Sequence, residues 1–153
     1  MKTILTPVDF SAATQGVLEA AVELARDAGG RLVLFNAVQL PLISTDYGLT
    51  VDMMQETLAA NREAAARQLA HLEKRIAARG VVVTTAQADG FPPGSIVDQA
   101  RKVRADYIVM GSHGHTAFYE LIVGSTTHAV LKNAPCPVLI VPPAGKPRKK
   151  AAK

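Results

Sequence analysis

The sequence predicts an α/β domain: a five-stranded parallel open sheet with helices on both faces. Three observations carry this. Apolar runs of strand length alternate with helix-periodic stretches along the whole chain. The runs are continuous rather than alternating, as expected for strands buried on both faces. Glycine and proline punctuation falls between the two kinds of segment.

The elements follow in order. "TILTPV" (3–8) is a β-branched apolar run ending at Asp9, with Ser11 placed as a helix N-cap. Val17, Leu18, Ala21, Val22, Ala25 and Ala28 then recur at helical spacing until Gly29-Gly30. "RLVLFNAV" (31–38) is the second strand, and the turn-rich "QLPLISTDYGLT" after it reads as a loop free to move. A long helix is expected from about Asp52 to Arg79. It should bury Met54, Leu58, Leu69, Leu72 and Ile76, pair Glu63 with Arg67 and stop at Gly80. "VVVTTA" (81–86) is the third strand, and "SIVDQARKV" (95–103) is a helix after Pro92-Pro93-Gly94. "DYIVM" (106–110) is the fourth strand. A helix starts near Ser125 and ends before Pro135, and "PVLIV" (137–141) is the fifth strand.

Composition bounds the function. The 153 residues suffice for one domain with a real core, expected over 1–143 with a basic tail at 144–153. Apolar residues at 48% and charged residues at 20% describe a soluble globular chain. No apolar run approaches the roughly 18 residues of a membrane span, and the N-terminus meets Pro7 and Asp9 too early for a signal core. A lone cysteine, Cys136, excludes an internal disulfide, so the cytoplasm is the expected compartment. Flanked by prolines, it reads as a strand-entry residue rather than a reactive thiol. The net charge of +4 belongs to the tail: Lys146, Arg148, Lys149, Lys150 and Lys153 are five of the 17 basic residues, and removing them leaves 12 against 13 acidic. That tail reads as a solvated, disordered end, or as a weak contact with a polyanion. No aromatic residue interleaves its charges, which argues against nucleic-acid reading.

In a parallel sheet of this kind ligands bind beyond the carboxyl ends of the strands. Pro7-Val8-Asp9, Ala37-Val38 and the segment from Met110 onward should meet there. That last segment, "GSHGHTAFYELIVGST" (111–126), lies between strand and helix. Gly111 and Gly114 can adopt positive φ and bring backbone N–H groups close to an anion. Ser125 and Thr126 sit where the next helix begins, where free N–H donors favour a phosphate. The same residues also fit an ordinary tight turn with Ser125 as a plain N-cap, and spacing alone leaves both readings open. Neither GxGxxG after the first strand nor GxxxxGK[ST] occurs.

His113 and His115, as loop neighbours without a cysteine, do not make a zinc set. His113-Gly114-His115 also differs from the His-x-Gly-His of nucleotidylyl transferases, lacking the spacer and following the fourth strand rather than the first. His128 reads as a surface or interface residue, and Met53 and Met54 as helix packing or interface.

The chain resembles the universal stress proteins, and specifically their ATP-binding subclass. That subclass is marked by Gly, two residues, Gly, nine residues, then Gly with Ser or Thr, matched here by Gly111, Gly114, Gly124 and Ser125. "TPVDFS", Gly90, "ADYIVMGSHG" and "APCPVLIV" are similar to further family landmarks. The resemblance implies a Rossmann-like, adenine nucleotide alpha hydrolase-like fold and an ATP pocket. In that pocket Pro7 and Val38 would line the adenine side and Asp9 would face the nucleotide near its ribose. Met110, Gly111, His113 and Gly114 would follow the ribose and phosphates, and Gly124, Ser125 and Thr126 would hold the outer phosphates.

Mg²⁺ would bind largely through phosphate oxygens, and a homodimer would form by pairing the last strands across a two-fold axis. The expected function is a nucleotide-holding stress-response switch or sensor acting on an unknown protein partner. A slow ATPase or self-phosphorylating enzyme is the alternative, with Ser125 as acceptor. A nucleotide-independent dimeric interaction module is the third reading.

Overall fold

The computed structural model describes residues 1–39, 50–112 and 123–144. Five parallel strands and four helices alternate: β1 Lys2–Pro7, α1 Thr14–Asp27, β2 Gly30–Val38, α2 Val51–Ala77, β3 Val83–Asp89, α3 Pro92–Lys102, β4 Tyr107–Gly111, α4 Ser125–Asn133 and β5 Val138–Val141. The strand order is β3-β2-β1-β4-β5, every pair parallel. The sheet is thus the expected one, with β3 and β5 at its edges.

Successive strand residues face opposite sides of a sheet, and both sides here are covered. Ile4, Leu32, Leu34 and Val109 meet Val17, Leu18, Val22, Leu69, Leu72 and Ile76, from α1 and α2. Leu5, Val33, Phe35, Ile108 and Met110 meet Ile96, Ala100 and Val130, from α3 and α4. Each fully buried aliphatic or aromatic side chain contributes about 1.5–3 kcal/mol relative to exposure. A mainly aliphatic core with one buried aromatic, Phe35, follows from a chain without tryptophan.

The register opens the crevice. β1 pairs with β2 along its whole length, from Lys2↔Gly30 to Pro7↔Phe35, and the Val8 N–H donates to the Phe35 carbonyl. With β4 it pairs only at Ile4↔Tyr107 and Leu5↔Ile108. β4 meanwhile stays with β5 through Gly111↔Val141. Beyond Leu5 the two central strands therefore follow outer neighbours and part at their carboxyl ends. This is where strand order reverses.

Several boundaries differ from the sequence reading. Ser11 does not cap α1: the Asp9 carboxylate accepts the Ser11 N–H at 3.0 Å, the Ser11 carbonyl accepts the Thr14 N–H, and the helix starts after Ala13. Phe10 takes φ +59 in this turn, a conformation few bulky residues adopt. β3 starts two residues later than the valine run and extends to Asp89, because Gln87, Ala88 and Asp89 pair with Asn36, Ala37 and Val38 of β2. α3 begins at Pro92, since two prolines at the first helical positions lack only N–H groups that helices leave unpaired anyway. Met54 and Leu58 are half-buried rather than core. Glu63 and Arg67 form no ion pair; Arg62 instead pairs with Asp89 across the α2–β3 contact.

Candidate functional site

The crevice between β1 and β4 widens into a cavity of about 710 Å³, within the roughly 300–1,000 Å³ typical of small-molecule sites. Of the residues singled out by sequence, Pro7, Asp9, Val38, Met110, Gly111, Gly124, Ser125 and Thr126 all line it. His113 and Gly114 lie outside the described residues, as do His115, most of the 39–52 loop and the tail from 145 on.

One wall is the β1–α1 turn, held by a side chain that sequence reasoning missed. The buried Asn36 amide donates to the Val8 carbonyl at 2.8 Å, so the last peptide before Asp9 is fixed from β2. A polar residue inside an apolar strand was the available signal. A second wall comes from α2: Asn61, Ala64, Ala65 and Gln68 face the cavity at i, i+3, i+4 and i+7. The helical spacing was readable, but two amides on a long polar helix look like solvated residues until the sheet is placed beneath them.

The third wall is the start of α4. The Gly124 N–H donates to the Ser112 carbonyl at 2.9 Å, closing the neck of the 112–124 loop. The buried Thr127 hydroxyl donates to the Gly111 carbonyl at 2.9 Å, tying the helix to the end of β4. Gly124 occupies the N-cap position and has no side chain with which to cap the helix. Ser125 is therefore the first helical residue and not the plain N-cap that a tight-turn reading requires. Helical geometry gives the N–H groups of Ser125, Thr126 and Thr127 no partner inside the helix. The first turn carries no acid, so these donors and the helix dipole present a positive field to the cavity. The glycines serve differently than expected: Gly111 closes β4 as a strand residue, Gly124 has φ −56, and the positive-φ glycines among the described residues are Gly29, Gly80 and Gly90.

Asp9 is the acidic side chain on the described lining, and no lysine, arginine or histidine joins it there. Among the described residues no three His, Cys, Asp or Glu side chains stand close enough to hold a metal ion. No described helix is long and apolar enough to cross a membrane. Cys136 packs beside the core, and burial pushes its thiol pKa up, away from reactivity.

Taken together, these features define a doubly wound α/β protein with a cavity of small-ligand size at its switch point, floored by a helix start. The chain belongs to the universal stress protein family, whose model matches residues 1–142. It is 30% identical over 149 residues to a universal stress protein of Methanocaldococcus jannaschii, MJ0531, covering 97% of this chain and 84% of that one. Among solved structures, the protein MJ0577 superimposes with a TM-score of 0.82 at 26% identity, covering 95% of this chain and 98% of that chain. The universal stress protein of Archaeoglobus fulgidus solved in complex with dAMP shares the fold, with a TM-score of 0.63 at 24% identity over 92% of this chain and 98% of that chain.

Proposed function

We propose that this chain binds ATP in the β1–β4 cavity and acts as a cytoplasmic stress-response switch, a single domain over 1–143 with a solvated tail. The observation that carries the reading is the α4 start: three backbone donors and the Ser125 and Thr126 hydroxyls at the edge of a cavity of nucleotide size. In this reading the adenine lies against Pro7 and Val38, with the ribose near Asp9 and Met110. The phosphates run past Gly111 to Gly124, Ser125 and Thr126. Mg²⁺, when bound, neutralises phosphate charge and is held mostly by phosphate oxygens, since Asp9 alone cannot cage it. A relative of the same fold that holds dAMP is consistent with an adenine ligand.

The chemistry favours holding over turnover. Phosphoryl transfer needs cationic stabilisation and a group orienting the nucleophile, and the described lining offers no cationic side chain. Output would pass through a homodimer formed at β5, an edge strand whose Leu139 is 43% exposed. Titration of nucleotide-free protein with Mg·ATP by calorimetry tests the reading. Saturation near one nucleotide per chain is expected, with unchanged ATP after prolonged incubation. Absence of heat at several temperatures would overturn it and leave the dimer surface as the functional part. Phosphate found on Ser125 by mass spectrometry would instead favour a self-phosphorylating enzyme.

A further inference from the structure

A second groove, of about 640 Å³, runs between α1 and α2 and opens into the main cavity, sharing Phe10, Ser11, Thr14, Ala64 and Gln68 with it. Its charged lining is of one sign. Arg67, His71 and Arg75 stand at i, i+4 and i+8 on α2, and among the described residues no Asp or Glu lines it.

Nearby arginines are neutralised, Arg62 on α2 by Asp89 and Arg79 just past its end by Glu19. Of the groove arginines, Arg67 has no acidic partner, and Arg75 stands in the field of Glu19 without forming an ion pair with it. The Arg67 and His71 side chains have no hydrogen-bond or ion-pair partner among the described residues, and Arg75 only donates to the neutral Gln15 amide oxygen at 3.1 Å. Two hydroxyls on the shared lining, Ser11 Oγ and Thr14 Oγ1, are buried without any hydrogen-bond partner. An unpaired buried hydroxyl is costly. α1 adds to the same sign, with no side-chain cap and no acid in its first turn.

We propose that the α1–α2 groove is a phosphate-binding subsite, in which Arg67 and Arg75 grip a phosphate group and Ser11 and Thr14 donate to it. Guanidinium forks match phosphate oxygens in geometry as well as charge. Continuity with the main cavity gives the phosphate two sources: the polyphosphate end of the ligand seated there, or a separate small phosphate compound. The inference stands whether or not adenine occupies the main cavity.

Pyrophosphate is the probe. It is titrated into the ¹⁵N-labelled full chain at about 0.15 M salt, which damps diffuse electrostatics. Saturable shifts are expected at the Gln15 and Gly16 amides and the Arg67 Nε–H. They should weaken tenfold or more in an Arg67→Gln/Arg75→Gln double variant, while any response at Ser125–Thr127 stays as in the parent. Both arginines are exposed, so the variant should fold as the parent does. Shifts that never saturate, that miss Gln15 and Gly16, or that persist unchanged in the double variant would overturn the proposal. Repeating the titration with Mg·ATP separates the sources. One common midpoint at the groove and at Ser125–Thr127 assigns the phosphate to the main ligand. A groove that is silent to ATP but still saturates with pyrophosphate assigns it to a separate compound. Groove binding without any ATP binding would retain this subsite and remove the adenine reading.

Discussion

The two ends of the sheet handle their polar groups in opposite ways. At the amino end they are paired with one another. The Asp106 carboxylate accepts from the Lys2 ammonium at 2.9 Å and from the Thr3 N–H at 2.8 Å, and Arg31 donates to the Thr3 hydroxyl. Arg79 meets Glu19 through two bonds of 2.9 Å while Arg26 donates to the Arg79 carbonyl. At the carboxyl end Asn36, Thr127 and Asp89 are paired, but several groups are left open: Gly124 gives α4 no side-chain cap, Ser11 and Thr14 keep unpartnered hydroxyls, and Arg67 has no acid. The topology explains the difference. Parallel strands leave one end to be sealed and the other, where β1 and β4 part, to receive a ligand. Polar groups that are unpaired in a folded protein are stabilised when a ligand pairs them.

If the amino end is structural, changes there should cost stability and leave binding intact. The largest effect is expected at Gly30, where an added Cβ would stand 2.9 Å from the Lys2 carbonyl oxygen. A backbone atom cannot swing aside, so Gly30→Val should cost about 1–3 kcal/mol in denaturant unfolding, with ATP affinity unchanged.

Asn36→Ala, at the other end, should do both. It strands the Val8 carbonyl at a cost of about 1–3 kcal/mol and loosens the turn carrying Asp9, so calorimetry should show weaker nucleotide binding as well. Ser125→Asp should weaken binding at no cost in stability, placing a carboxylate where the α4 donors await an anion. Tenfold or greater loss of ATP affinity is expected, with a melting temperature unchanged or slightly raised, since a carboxylate at a helix start is stabilising.

The smallest effects belong to the amino-end ion pairs. The hydrogen bond from Arg79 holds the Glu19 carboxyl below its usual range. The pair is about half exposed, so Glu19→Gln should cost no more than about 0.5 kcal/mol at neutral pH. The Thr3 N–H, followed by Lys2, lowers the Asp106 carboxyl below its ordinary value of 3.8. A depressed folded-state pKa contributes stability that is present above the unfolded value and lost as pH falls through the folded one. Asp106→Asn should therefore flatten the stability profile below about pH 4 and leave its slope near neutrality unchanged.

The element order was readable because the three inner strands are buried on both faces, and these and β5 appear as apolar runs. β3 was the exception: as an edge strand it carries Thr84, Thr85 and Gln87, and the valines that suggested it stand at its threshold. The floor of the site was readable too, since Gly124-Ser125-Thr126 after a strand is a local pattern. The walls were not. Asn61 and Gln68 become cavity residues only because α2 crosses above β2 and β3. Arg67 looked like half of an i,i+4 pair with Glu63, and only the fold shows that the pair does not form. Local spacing proposes partners, while burial and the approach of other elements decide among them.

If the carboxyl end receives the nucleotide phosphates through the start of α4, bound ligand should protect the amides there. Amide hydrogen exchange of the full chain with and without saturating Mg·ATP tests it directly. Slowed exchange is expected at Ser125, Thr126 and Thr127, with Lys2, Gly30 and Asp106 at the sealed end unchanged. Protection that spares those three amides, or that spreads evenly over both ends, would contradict it.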